Sequence, residues 1–229
     1  KTYKVDSNAL WKSRLSHYDM KCSRMFIDLQ LFVNKNADLI DELYNPKCNY
    51  EEQVECIKQA RHEFNVGSLE VDGDKESAIN ERASQILKEK GYEWLDLYRT
   101  FWIPKKSIDK RTGKNKLRRI DAPNPQLSIV LRQLKTIIEE GMGFNTYHTA
   151  SYAYVPHRST LSAIKKHQKN HSRWMLKLDF SDFFGSTTLE FLLKQLEQIW
   201  PFNCWVSNPS EREIIVKAFK LCFLGGGLP

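Results

Sequence analysis

Asp179 and Asp182 are the side chains of this sequence best placed to do chemistry. They stand three residues apart in the run Trp-Met-Leu-Lys-Leu-Asp-Phe-Ser-Asp-Phe-Phe-Gly-Ser at 174–186. Carboxylate oxygens are hard donors, and one delivered to the open end of a strand can seat Mg²⁺ against a nucleoside triphosphate. Trp174, Leu176, Leu178 and Phe180 alternate with Met175, Lys177 and Asp179, a period of two that predicts a strand with one apolar face. Asp179 then points away from that face. Thr187 and Glu190 have capping-box spacing, and Leu189, Leu192, Leu193 and Leu196 have helical spacing. Aspartate is also common in plain turns, and on the Asp-x-x-Asp spacing alone a plain turn is the simpler reading.

The elements that must position this run are legible upstream. Apolar stripes through Leu10, Leu15, Met20, Met25, Phe26, Leu29, Leu31, Phe32 and Val33 predict a helix to about Asn34. Further helices are expected at 37–44, from Tyr50 through Val54, Ile57 and Ala60, and at 76–90 where Gly91 stops the pattern. Residues 66–74 read as loop. From 98 the pattern turns to strand, with Tyr98 to Ile103 stopped by Pro104. A basic hairpin follows, with Lys105, Lys106, Lys110 and Arg111, a tip at Thr112-Gly113 and Lys114 beside it, and a return strand at 116–122. Pro123 and Pro125 break it, and 126–140 has the spacing of an amphipathic helix. Residues 147–159 are aromatic and loop-like, and 160–169 reads as a short basic helix. Pro201 interrupts the C-terminal part, and Ser210 with Glu213 reads as a second capping box for a helix to about Leu221.

With 229 residues the chain can bury a sizeable core, as one large domain or as a domain with an extension. We divide it into a helical N-terminal extension at 1–95 and a second domain at 96–229. No stretch approaches the roughly 18 apolar residues of a membrane span, and no secretory pattern opens the sequence. Five cysteines are scattered without metal-ligand spacing, which fits free thiols in a reducing cytoplasm.

Net charge is +7, and its distribution is uneven. Residues 1–100 carry 15 basic and 18 acidic side chains, a net of −3; residues 101–174 carry 15 and 4, a net of +11. Residues 175–229 carry 5 and 6, a net of −1. The positive excess therefore lies directly before the acidic run. Most charge runs are only solvated faces, but this one suits a polyanion, where phosphate neutralisation releases counterions.

Taken together, the segments from 95 onward resemble the bacterial reverse transcriptases of the retron and group II intron lineage. Arg-Arg-Ile-Asp-Ala-Pro at 118–123 is similar to the fingers motif Arg-x-Ile-x-x-Pro, followed by a Gln/Leu-rich helix. Ala-Ser-Tyr-Ala-Tyr at 150–154, with Arg158-Ser159 and on to His167, is similar to the segment before the palm. Leu-Asp-Phe-Ser-Asp-Phe-Phe at 178–184 looks like the first catalytic palm motif. Leu-Gly-Gly-Gly-Leu-Pro at 224–229 looks like the start of the next one. Two features depart from the pattern. No Asp-Asp pair occurs in the chain, whereas the family has one in a Tyr/Phe-x-Asp-Asp turn, followed by a thumb. We expect a longer protein to carry both, with Gln-Gly directly after Pro229. Val155-Pro156-His157 also stands where relatives often have Gly before the Arg-Ser pair.

The resemblance implies an α+β fold: reverse transcriptase fingers and a partial palm behind the helical extension. It implies an RNA-directed DNA polymerase that uses Mg²⁺, the chain by itself being inactive. Asp179 would be the catalytic metal ligand, with the Phe180 carbonyl as a supplementary one. Asp182 would shape the turn facing the triphosphate. Phe184 would be the aromatic gate under the sugar, with Phe183 in the core. Arg118, assisted by Lys116, would contact the incoming triphosphate, and Arg158, Lys165, Lys166 and Lys169 would track nucleic-acid phosphates. His148, His157, His167 and His171 lack a ligand pattern. The implied partners are an RNA template, a DNA or RNA primer, dNTPs and, in the retron branch, a dedicated non-coding RNA. Two rivals stand beside this reading. One is a non-catalytic nucleic-acid-binding or scaffold module. The other is untemplated or protein-primed synthesis of the kind found among phage-defence relatives.

Overall fold

The computed structural model describes residues 7–66, 73–109, 111, 113, 115–142, 147–169, 173, 174 and 176–229, with side chains from residue 20 onward. Lys110, Thr112 and Lys114 of the expected hairpin turn, most of the expected 66–74 loop, His171, Met175 and the side chains of Leu10 and Leu15 lie outside the described residues. Helices and a two-stranded sheet follow in the order α1 (Ser7–Lys35), α2 (Ala37–Leu43), α3 (Tyr50–Glu63), α4 (Gly73–Glu89), β1 (Tyr98–Ile108), β2 (Asn115–Pro123), α5 (Pro125–Met142), α6 (Thr160–Lys169), α7 (Phe183–Ser186), α8 (Leu189–Leu196), α9 (Phe202–Ser207) and α10 (Pro209–Lys220). Among the described residues no helix is long and apolar enough to cross a membrane. Contacts divide the chain into two compact units: one holds residues up to Asp28 with Lys135–Phe183, the other Leu29–Leu134 with Phe184–Pro229.

The second unit carries a core between α3 and α4. Cys56, Ile57 and Ala60 of α3 recur at helical spacing and pack with Ile79, Ala83, Ile86 and Leu87 of α4. Trp94 and Trp102 close its edge. Gln53 is polar and only 1% exposed, and both ends of its amide are satisfied: Nε2 donates to the Leu95 carbonyl at 3.0 Å and Oε1 accepts from the Leu95 N–H at 2.8 Å. Asn124 fixes the next corner, donating through its backbone N–H to the Leu97 carbonyl at 2.8 Å and through Nδ2 to the Asp96 carbonyl at 3.0 Å. Its Oδ1 accepts from the Leu127 N–H at 2.8 Å, which caps α5. In α8 to α10, Leu193, Leu196, Phe202, Trp205, Val206, Ile215, Ala218 and Leu221 are buried, and the Phe202 ring meets Trp205 edge-on at 5.3 Å.

Several local expectations need correcting. β1 does not stop at Pro104 but runs through it, with Pro104 opposite Leu117 and a register shift before Ile108. In a two-stranded sheet each strand keeps a free edge, so a missing N–H there costs no ladder bond. The cap of α8 is Thr188, accepting from the Phe191 N–H at 3.1 Å, rather than Thr187. The cap of α10 is Asn208, accepting from the Ser210 N–H at 3.1 Å, because Pro209 takes the first helical position. The largest correction concerns 174–180. Residues 176–180 belong to no strand or helix, and Trp174, Leu176, Leu178 and Phe180 are exposed. Alternation provides a face, but a ladder needs a second strand, and β1 and β2 pair with each other.

Burial also sets a pH limit on the second unit. Burial pushes the Tyr44 hydroxyl up to about 12 and the Cys222 thiol up to about 11. Tyr50 and Tyr98 are raised as well, again chiefly by burial. These groups are neutral in the fold, whereas the unfolded chain ionises them at ordinary values. Their contribution is therefore intact below the ordinary values and is lost as pH rises toward the folded ones. Melting temperature should hold up to about pH 9 and then fall steeply toward pH 11, the interval over which Cys222 is displaced. A melt series that stays flat across that interval would contradict the burial of the Cys222 thiol.

Candidate nucleotide and nucleic-acid site

The β1–β2 hairpin separates two adjacent arginines by simple alternation. Trp102 pairs with Arg119 and Ile103 with Arg118, so the two arginines lie on opposite faces. Arg119 shares its face with Asp121 and is held there as a bidentate fork: Nε donates to Asp121 Oδ2 at 2.9 Å, and Nη1 and Nη2 donate to Glu51 at 2.8 and 3.0 Å. Its guanidinium lies 5.4 Å over the Tyr50 ring. Tyr50 Oη and the Thr100 hydroxyl each lie 2.9 Å from Asp121 Oδ1 and within hydrogen-bond reach of each other, so their two protons are shared among the three oxygens. Burial alone would lower the Arg119 pKa, but hydrogen bonds to Glu51 and Asp121 outweigh it and hold the charge.

Arg118 sits on the other face, exposed, with Lys116 two residues earlier and Ile103 opposite. The hairpin thus offers one arginine that joins β2 to α3 and another that stands toward solvent. Arg119→Met should cost about 2–3 kcal/mol, since it leaves the nearly buried Asp121 without its charged donor. Arg118→Met should shift stability by no more than about 0.5 kcal/mol. Urea unfolding of the two variants checks this directly, and equal losses would contradict the separation.

Glu51 also carries the network to the C-terminal turn. A Cβ built on Gly225 would stand 3.0 Å from Glu51 Oε1, so the turn backbone lies against that carboxylate. Gly225 and Gly226 take φ of 58° and 90°, conformations a side chain would strain, and Leu224 and Gly227 bridge each other. The Leu228 N–H then donates to the Phe184 carbonyl at 3.1 Å. Gly227 presses against Gly185. Segments that are far apart in sequence are therefore joined within the second unit: 184–185 and 224–228 by direct contact, and 118–123 to the latter through Glu51.

In the first unit, Asp179 is exposed, and the Phe180 and Phe183 rings lie 6.3 Å apart. Asp182 is exposed at φ 50°, the left-handed conformation that aspartate tolerates in turns. Phe183, expected in the core, is 53% exposed, close to the 56% of Phe184. Among the described residues no three His, Cys, Asp or Glu side chains converge on a point that could hold a metal ion. One carboxylate with a nearby carbonyl does not complete a six-oxygen Mg²⁺ shell. These residues by themselves do not fit the expected metal pair.

The loop at 147–159 is ordered around Arg158. Its Nη1 donates to the carbonyls of His148 at 3.0 Å, Thr149 at 3.3 Å and Ser151, and its guanidinium lies 5.7 Å over the Tyr152 ring. Arg158, expected to track phosphates, is thus engaged in shaping its own loop. Lys166 reaches the same ring from α6, with Nζ at 5.9 Å, while Lys165 and Lys169 are exposed on that helix. No residue of α6 is buried. Sequence reasoning missed Tyr50 and Glu51; the bond from Arg119 to Glu51 spans 68 positions, and nothing local signals such a pair.

No family model matches the chain, and no solved structure matches it. The curated proteins include a Retron Ec83 reverse transcriptase from Escherichia coli that is 32% identical over 99 residues. The match covers 43% of this chain and 28% of the relative, so the chain spans less than a third of that protein's length.

Proposed function

We propose that this chain forms the nucleotide- and template-binding part of an RNA-directed DNA polymerase related to the retron reverse transcriptases, with reverse transcriptase fingers and a partial palm. The observation that carries the reading is the joining of the three motifs. Arg119 holds Glu51, Glu51 lies against Gly225, Gly227 presses on Gly185, and Leu228 bonds Phe184. A chance run of short matches gives no reason for these segments to touch. The partial similarity to a retron enzyme points the same way.

In this reading Arg118 and Lys116 meet the triphosphate of a dNTP from the outer face of the hairpin, where a guanidinium fork suits phosphate oxygens. By the resemblance, the Asp182 turn would serve triphosphate oxygens, and Phe184 would be the aromatic gate that disfavours a 2′-hydroxyl. Lys165, Lys166 and Lys169 attract the backbone of an RNA template or its primer. Asp179 is the carboxylate offered to the reaction. Mg²⁺ would supply charge neutralisation at the triphosphate. The residues present do not complete its shell.

The test is primer extension by the full-length protein on an RNA template with all four dNTPs. A product whose length and sequence follow the template supports the proposal. Product that ignores the template favours untemplated synthesis. No product at all, with RNA binding retained, overturns the enzymatic reading in favour of a binding module, for which the +11 segment at 101–174 is the specific support.

A further inference from the structure

We propose that Tyr154 is a stacking platform for an unpaired base of a single nucleic-acid strand, with α6 holding the strand's phosphates. This rests on the polymerase reading and deepens it by naming what the template strand meets. Tyr154 is 96% exposed, at the tip of a loop that is otherwise tied down. It takes φ of 57°, and His157 takes 61°, conformations that bulky side chains rarely adopt. The loop supports them through bonds that converge on its base. Arg158 donates to three of the loop's carbonyls, its own N–H donates to the Val155 carbonyl at 3.1 Å, and Val155 is buried. A fold that spends this much ordering on one loop and leaves a tyrosine ring at its tip 96% exposed has placed the ring for a partner.

The chemistry beside it says which partner. Both the Arg158 guanidinium and Lys166 Nζ lie close to the Tyr152 ring, at 5.7 and 5.9 Å, so the loop is joined to the basic helix that follows. Lys165 and Lys169 of that helix are exposed, and no residue of α6 is buried. These uncovered ammonium groups suit a phosphate backbone, which offers one anion per nucleotide. An aromatic ring standing clear of the surface suits an unstacked base, whose π-face is hidden in a duplex. RNA and DNA strands share that chemistry.

The experiment is fluorescence anisotropy with the 229-residue chain and three labelled 12-mers: oligo(U), oligo(dT) and an abasic backbone. Tyr154→Ala should weaken both base-bearing strands about tenfold while leaving the abasic strand within about twofold. Tyr154→Phe should bind like wild type, and Tyr154→Gly, which relaxes the backbone, should behave like Tyr154→Ala. Lys165→Gln and Lys169→Gln should weaken all three strands alike and each reduce the salt slope by about 0.7. The ratio of oligo(U) to oligo(dT) affinity identifies the natural strand. Unchanged affinity in Tyr154→Ala, or equal loss on the abasic strand, overturns the proposal. So does Tyr154-dependent binding to phosphatidylserine vesicles without binding to any 12-mer. Base-selective binding through Tyr154 in a full-length protein that makes no template-dependent product upholds this inference and removes the polymerase reading. Template-dependent synthesis alongside wild-type affinity in Tyr154→Ala does the reverse.

Discussion

Replacing Gly227 with alanine should lower stability by about 3 kcal/mol and the melting temperature by roughly 6–12 °C. The backbone at Gly227 is not left-handed, so the change introduces no torsional strain. The cost is steric. The added methyl collides with the Gly185 carbonyl oxygen and stands 3.0 Å from its carbon and 3.1 Å from its Cα. All three are backbone atoms, so no rotamer change relieves the overlap. Relief requires either the turn at 224–227 or the segment at 184–185 to shift, and the Leu228 to Phe184 hydrogen bond resists both. Gly73 is the control, since nothing lies within 4 Å of its added methyl and it starts α4. Gly73→Ala should be neutral or slightly stabilising. Gly226→Ala has open space but a φ of 90°, and should cost about 1–2 kcal/mol through strain alone. Thermal melts of the three variants separate collision from strain. If Gly227→Ala melts with wild type, the contact between the two motifs is absent, and the observation behind the functional proposal goes with it.

Sequence pattern was most informative where short-range signals dominate. The helix expected at 160–169 has those bounds, and the onset at Tyr50 is fixed by the Asn49 side chain accepting from the Glu52 N–H. Gly91 ends the α4 region with φ of 84°, as a glycine after a helix should. Pattern failed where the outcome depends on a partner distant in sequence. Trp174, Leu176, Leu178 and Phe180 have strand periodicity but no strand to pair with among the described residues. Pro201 interrupts the pattern in sequence, yet it stands at the N-cap position of the short helix α9, whose Phe202, Trp205 and Val206 are buried. At the candidate site, alternation alone puts Arg118 and Arg119 on opposite faces, but which of them meets α3 depends on Glu51, 68 positions away. Arg158 looked like a phosphate contact because its backbone-carbonyl partners cannot be read from residue types. Tyr154 stood in a run of aromatics with nothing to mark it until its exposure and backbone conformation were seen.

The second large effect concerns Asp179. If this carboxylate serves the reaction, Asp179→Asn removes a charge from an exposed position without removing volume or burying anything. Stability should therefore stay within about 0.5 kcal/mol. Affinity for RNA should also hold, because the cations assigned to the backbone are the lysines of α6. Synthesis alone should fall, by about a thousandfold or more, the scale at which losing one directly acting charged group costs several kcal/mol of transition-state stabilisation. Asp182→Asn should be milder, since its place in a left-handed turn is one that asparagine also adopts. The direct measurement is the single-nucleotide incorporation rate of the full-length protein, wild type against Asp179→Asn, on an RNA template with RNA affinity measured in parallel. The account predicts loss of incorporation at unchanged affinity. Wild-type incorporation by Asp179→Asn would contradict it.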